Sequence, residues 1–133
     1  MSSGPPSGPA RAAPRATDAE GGAEARAAQL RLVLVNAPPP DAPRIARALV
    51  ERRLAACVNV VPGVLSVYEW EGKLTEDAES TLLIKTRRAL VADIAGAMRE
   101  LHPYTVPEVI ALPLLEGEGN PDYLAWVLEN TRT

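Results

Sequence analysis

Two long β-rich segments joined by a short polar turn constrain the fold of this chain most. "CVNVVPGVLSVYEW" (57–70) and "LTEDAESTLLIKTR" (74–87) flank "EGK" (71–73), which is typical of the tip of a β-hairpin. Pro62-Gly63 interrupts the first segment and predicts a bulge that shifts the side-chain alternation by one residue. The two strands are too long for a compact domain. Because exposed strand edges pair with other chains, we expect an oligomer joined through these ribbons.

The segments around the hairpin alternate between strand and helix patterns. Strands are predicted at 30–36 and 106–115, and helices at 44–56, at 88–101 and after Asn120-Pro121. The resulting order, β-α-β-β-α-β with an added C-terminal helix, predicts an α+β protein. Its expected architecture is a ferredoxin-like βαββαβ sandwich with both main helices on one face of an antiparallel sheet.

The first 29 residues differ in composition from the other 104. They contain almost only Ala, Pro, Gly, Ser, Arg and a few acids, so residues 1–29 are predicted to be a disordered tail and 30–133 one folded domain. No secretion signal or membrane-spanning run is evident, which predicts a cytoplasmic protein without a membrane partner. The net charge of −3 argues against nucleic-acid binding.

The only cysteine, Cys57, excludes a disulfide within the chain and a Cys-x-x-Cys zinc site. A functional interpretation makes it a soft Cu(I) ligand or a redox thiol. The alternative, which we favour, is a small apolar residue at the start of a buried strand. No basic neighbour that would activate the thiol is evident from the sequence.

The only histidine, His102, begins the rigid segment "HPYTVPEVIALPL" (102–114). A neutral imidazole is a common ligand of Cu(II) and Zn(II), so His102 is a candidate metal ligand. The structural alternative places it at the end of the second helix, where the helix dipole favours a positive charge. No second histidine or cysteine lies nearby in sequence to complete a metal site.

Four further polar residues are candidate ligand-binding groups: Glu79, Lys85, Tyr104 and Glu108. Lys85 lies in an otherwise apolar strand, where a lysine needs a partner, and Glu108 or Glu79 could supply one. One interpretation is a cleft between subunits for an anion or small ligand. The other is a structural ion pair that locks the oligomer.

The hairpin also carries an aromatic face and an acidic run. Tyr68 and Trp70, like Trp126 near the C-terminus, could stack on a ligand, but interface packing is the better explanation. Glu76, Asp77 and Glu79 are typical of a solvated hairpin edge, although carboxylates can also hold hard cations weakly.

Four stretches together resemble the CutA divalent-cation tolerance family: "LVERRLAACVNVVPGVLSVYEWEGKL", "LLIKTR", "HPYTVPEVIALPL" and "NPDYLAWV". Their order and spacing cover essentially residues 30–131. The resemblance implies the ferredoxin-like fold and a tight homotrimer in which the long hairpins reach neighbouring subunits. It implies a non-enzymatic role in tolerance of copper or other divalent cations. The trimer's likeness in shape to PII signalling proteins implies an alternative, a small-ligand sensor or adaptor without a metal site.

The resemblance carries over only part of a copper site. Members proposed to bind copper use a cysteine late in the first strand and a His-His pair before Pro-Tyr. In this chain those positions are Val35 and Leu101-His102, so only His102 matches. Copper or another divalent cation is therefore the expected ligand, with His102 as the one residue assigned to it.

Overall fold

The computed structural model describes residues 28–133 and contains four strands and three α-helices. Their bounds are β1 (Leu30–Ala37), α1 (Ala42–Glu51), β2 (Cys57–Trp70), β3 (Lys73–Arg87), α2 (Val91–Leu101), β4 (Ile110–Leu114) and α3 (Pro121–Glu129). The strands form one antiparallel sheet in the order β2-β3-β1-β4. The predicted α+β class and the βαββαβ order with an added C-terminal helix are confirmed.

Both long helices pack on one face of the sheet. Ile45 and Leu49 of α1 and Ile94 and Met98 of α2 are fully buried in one core cluster, together with β1 and β3 side chains such as Val33. Helix α3 forms a second, smaller cluster with the ends of β1 and β4, namely Leu30, Ala56 and Val127 with Leu114, Leu124 and Leu128 around them. Much of the sheet face opposite the helices is left to solvent.

The hairpin of β2 and β3 has the predicted bulge. Val61 pairs with Thr81 and Val64 pairs with Glu79, so β2 contains one residue more than β3 across this step. Gly63 adopts φ +74, a left-handed conformation that glycine tolerates best. Before the bulge, the odd-numbered residues of β2 share one face of the hairpin. After it, the even-numbered residues lie on that same face, which is the predicted change of phase.

Two predicted boundaries were wrong. Helix α1 ends at Glu51 and not at Ala56, because Arg53 is left-handed (φ 57) and the amide groups of Leu54 and Ala55 turn back to the Leu49 carbonyl. Strand β4 begins at Ile110 and not at Val106, and the segment before it, which contains Pro107, pairs with no strand among the described residues.

Most of the predicted disordered tail, residues 1–27, lies outside the described residues. The last two residues assigned to it contact the domain: the Arg31 guanidinium donates to the Ala28 carbonyl (2.7 Å), and the Gln29 carbonyl accepts from the Arg88 amide (2.7 Å). Within residues 28–133, no helix has the length and apolar character needed to cross a membrane.

Candidate functional site

An open cavity of about 950 Å³ lies between the hairpin and the segment that follows α2. Three of the four predicted ligand-binding residues line it: Glu79, Tyr104 and Glu108. The other lining residues are Asn36, Ser66, Val67, Tyr68, Trp70, Asp77, Pro103, Thr105 and Val106. The sequence therefore identified part of a real cavity, but it did not identify all of the polar groups in it.

Two tyrosine–carboxylate pairs stand side by side in the cavity. The Tyr104 hydroxyl donates a hydrogen bond to Glu79 Oε2 at 2.9 Å, and the Tyr68 hydroxyl donates to Asp77 Oδ2. Asp77 and Glu79 are two residues apart on β3 and share one face, so their Cα atoms are about 7 Å apart. In each pair the phenol occupies one carboxylate oxygen, and the structure of residues 28–133 gives the other oxygen no hydrogen-bond donor.

Glu79 is the most unusual of these groups because it is only 6% exposed. None of the three ion pairs found in the described part of the chain includes it. No buried side-chain oxygen among the described residues lacks a hydrogen-bond partner, so the second oxygen of Glu79 still faces the open cavity. A mostly buried carboxylate without a cation is costly, and one hydrogen bond from a phenol offsets only part of that cost. The position is thus suited to a positive charge from outside residues 28–133.

Both phenols are held in their protonated form. The pKa of Tyr104 is raised to about 12, mainly by burial, and the hydrogen bond to Glu79 and the negative charge of that carboxylate contribute in the same direction. The hydrogen bond to Asp77 is the main cause of a raised pKa for Tyr68. At neutral pH both tyrosines therefore act as donors that orient the two carboxylates.

Asn36, at the end of β1, connects several parts of the cavity. The sequence analysis did not identify it as a candidate site residue. Its side-chain amide donates to Glu108 Oε1 (3.3 Å), and its side-chain oxygen accepts from the Thr81 hydroxyl (2.6 Å). A polar residue that ends an otherwise apolar strand was the available signal. Tyr68 and Asp77 were noted only as part of a packing face and a solvated edge, although the hairpin register around "EGK" places them diagonally opposite each other.

His102 is buried beside the cavity and uses both ring nitrogens within the chain. Nδ1 accepts a hydrogen bond from the Tyr104 amide (3.1 Å), so the ring proton lies on Nε2, which is 2.7 Å from the Asn36 carbonyl oxygen. The neutral imidazole fits this site without any further ligand. Metal coordination by His102 would replace one of these two hydrogen bonds.

The described residues do not form a ready metal centre. No group of three or more His, Cys, Asp or Glu side chains in the range 28–133 is arranged to hold a metal ion. Carboxylate oxygens are the chemically suitable donors for hard divalent ions. Those of Asp77, Glu79 and Glu108 line one cavity but form no such group, so a metal ion does not fit the donor set that residues 28–133 provide.

Lys85 lies apart from the cavity, and its predicted pairing with Glu108 or Glu79 was wrong. Its ammonium group donates to the Asn59 side-chain oxygen and lies 3.9 Å from Cys57 Sγ, because Cys57 pairs directly with Lys85 across β2 and β3. The statement that Cys57 has no basic neighbour was wrong for the same reason. Without Lys85, no Lys, Arg or His among the described residues lines the cavity to hold an anionic ligand.

Comparisons with known proteins agree on one family. The model of the CutA1 divalent ion tolerance protein matches residues 31–130. The divalent-cation tolerance protein CutA of Thermus thermophilus is 50% identical over 101 residues, which are 75% of this chain and 96% of that protein. A CutA homologue of Xenopus laevis is 58% identical over 83 residues, which are 62% of this chain and 54% of that protein. This chain spans about half the length of the frog, mouse and human relatives that it matches.

The solved structures give the same result. The structure of "PII-like protein CutA" from Nostoc superimposes with a TM-score of 0.72 at 35% identity, and the match covers 77% of this chain and 97% of that one. The relatives do not share one compartment, since a plant relative is named chloroplastic and an archaeal one periplasmic. The match over nearly the whole described domain is decisive for the family: the chain belongs to the CutA1 divalent ion tolerance family.

Proposed function

We propose that this protein is a non-enzymatic divalent-cation tolerance protein that acts as a homotrimer and works by binding a ligand in the cavity at Glu79. The observation that supports it most is the family match over residues 31–130 together with a cavity lined by carboxylates that have no cation among the described residues. Among the described residues that line it, the cavity has binding groups and no paired nucleophile and base, which favours binding over turnover. The cytoplasm remains the predicted compartment.

The open face of the sheet supports a homotrimer. Leu32 pairs with Leu112 and Leu34 pairs with Ile110, so these apolar side chains share the face opposite the helices. Ile110 is 51% exposed and Leu112 44% exposed. The hairpin adds more apolar surface, and an exposed apolar area of this kind is typical of a protein–protein interface. Sedimentation analysis should show a trimer that a charge at this face, Leu112→Glu, disrupts. A monomeric parent would contradict the proposal.

A growth assay tests the tolerance role. A bacterial strain that lacks its own family member, and is sensitive to added Cu²⁺ for that reason, is given the full chain or its Glu79→Gln variant. The parent should restore growth, and Glu79→Gln should restore it less, since it removes the buried charge and keeps an acceptor for Tyr104. Lys85→Met, outside the cavity, is the matched control. Failure of the parent, at normal protein levels, would refute the tolerance role.

Direct copper binding through His102 is a separate prediction. Calorimetric titration of Cu²⁺ into the tag-free protein, beside His102→Ala and Glu79→Gln, measures which residue matters. If the parent binds Cu²⁺ and His102→Ala, but not Glu79→Gln, abolishes this binding, the imidazole is a copper ligand. One of its two hydrogen bonds is then replaced by the metal. Equal binding, or none, in the parent and His102→Ala would remove His102 from the site.

A PII-like small-ligand sensor is the second candidate. Two observations favour it: the cavity has a size suited to a small molecule and combines aromatic and polar groups, and the matching Nostoc protein is described as PII-like. A sensor should bind an organic ligand in the absence of any metal ion. Ligand binding should then depend on the cavity residues, while His102 should matter only through the stability of the fold.

A further inference from the structure

The geometry points to an organic diamine or polyamine as the ligand of this cavity, with one ammonium group at Asp77 and another at Glu79. This inference rests on the proposed function, since it assigns a chemical class to the ligand of the same cavity. It changes the earlier expectation of an anion, which depended on Lys85. Three features of the cavity support it: the sign of the charge, the spacing of the carboxylates and the aromatic walls.

The sign of the charge is negative throughout the cavity. Asp77, Glu79 and Glu108 line it, and the lining residues known from the described part of the chain include no Lys, Arg or His. Glu79 is only 6% exposed, and no cationic side chain among the described residues pairs with it. An ammonium group that enters the cavity would donate a charge-assisted hydrogen bond to a carboxylate oxygen that the phenols leave free.

The spacing of the carboxylates selects an extended cation over a metal ion. The Cα atoms of Asp77 and Glu79 are about 7 Å apart along β3, and the two side chains form no group with a third ligand that could enclose a metal ion within residues 28–133. Four methylene groups place two primary ammonium groups about 6 Å apart, from the lengths of single C–N and C–C bonds. A chain of that length can reach both carboxylates at once.

The walls of the cavity suit the rest of such a molecule. Tyr68, Trp70 and Tyr104 contribute aromatic rings, and Val106 contributes aliphatic surface. Aromatic faces attract ammonium groups and pack against methylene groups. Both phenols donate to the carboxylates, and their raised pKa values keep them neutral at pH 7, so they present aromatic rings to the ligand and hold the carboxylate acceptors in position.

Calorimetry on the full chain in chelator-treated buffer tests the inference, with 1,4-diaminobutane, spermidine and butylamine as probes. The diamine and spermidine should bind, and butylamine should bind about tenfold or more weakly because it has one ammonium group. Glu79→Gln and Asp77→Asn should each weaken diamine binding by about tenfold. Glu76→Gln is the matched control: it removes the same charge from the same strand, but Glu76 lies on the opposite face.

Three results would overturn the inference. They are no heat with the diamine or spermidine, equal affinity for butylamine and the diamine, or an equal loss in Glu76→Gln and Glu79→Gln, which would indicate non-specific attraction. Thermal unfolding of each variant separates lost binding from lost folding. The proposed function is judged separately, because growth in Cu²⁺ can be restored by a protein that binds no amine. Absent amine binding with restored growth would refute the ligand class alone.

Discussion

Replacement of His102 tests whether this residue is structural or a metal ligand. The side chain is 6% exposed and joins the Asn36 carbonyl, at the end of β1, to the Tyr104 amide after α2. His102→Ala removes both hydrogen bonds. Each contributes about 1 kcal/mol, and the groups left without a partner add a desolvation cost, so we expect a loss of about 2–4 kcal/mol in the free energy of unfolding.

The measurement is urea unfolding of the full chain with a chelator present and at one fixed protein concentration, because assembly would otherwise change the apparent stability. Two further variants separate the two bonds. His102→Asn places an amide oxygen near the site of Nδ1 and keeps an acceptor for the Tyr104 amide. The longer side chain of His102→Gln extends toward the site of Nε2 and keeps a donor for the Asn36 carbonyl. Each should recover about half of the loss in His102→Ala.

A different pattern would refute the structural explanation. If His102→Ala unfolds within about 0.5 kcal/mol of the parent in chelator, the two hydrogen bonds contribute little. If, in addition, Cu²⁺ stabilises the parent but not the variant, the imidazole is a metal ligand. If His102→Ala loses about 2–4 kcal/mol of unfolding free energy in chelator, and Cu²⁺ changes the stability of both proteins equally, the role of His102 is structural and does not depend on a metal.

Two further predictions concern ionisation and backbone conformation. The phenol of Tyr104 should titrate near its raised pKa of about 12, and Glu79→Gln should lower that value only in part, since burial is the larger cause; ultraviolet absorbance of tyrosinate, compared with Tyr104→Phe, measures this. Because the pKa of Tyr104 is raised on folding, its contribution to stability should be present below pH 10 and should be lost as the pH rises toward 12. Gly63→Ala should destabilise the protein by about 1 kcal/mol: the new methyl group meets no atom within 4 Å, but alanine is strained at the φ of +74 that this position requires. Gly96→Ala in α2 should stabilise the protein by about 0.5–1 kcal/mol, because it reduces the freedom of the unfolded chain and its methyl group also meets no atom within 4 Å. Thermal or urea unfolding checks both signs, and destabilisation by Gly96→Ala would contradict the explanation.

Local signals in the sequence were sufficient for most of the fold. The alternation of apolar residues and the turn at "EGK" predicted β2 as Cys57–Trp70, with its bulge, and Asn120-Pro121 predicted the start of α3. The Asn120 side chain indeed accepts from the Asp122 amide at 3.0 Å. The errors are at ends where tertiary structure overrides local preference: α1 stops early because the buried residues Leu54 to Ala56 lead into the sheet.

The site was harder to predict because its contacts join distant parts of the chain. Tyr104 and Glu79 are 25 residues apart and meet only after the segment following α2 folds over the end of β1. Their chemical types made them candidates, but their pairing depends on that path. Lys85 shows the opposite error: its need for a partner was recognised, but the residue is only half-buried and its partner is Asn59 on the neighbouring strand, which the register of the hairpin decides.

The bulge between Val61 and Val64 makes the cavity depend on a count of residues as well as on their identity. One extra residue in β2 determines which side of the ribbon receives Ser66, Tyr68 and Trp70. Deletion of that residue would act like a frameshift within the strand. It would move Ser66, Tyr68 and Trp70 to the opposite face of the ribbon and separate Tyr68 from Asp77, although no side chain downstream would change. Substitutions along this strand should therefore be better tolerated than any single insertion or deletion, because only a change in length exchanges the two surfaces of the ribbon.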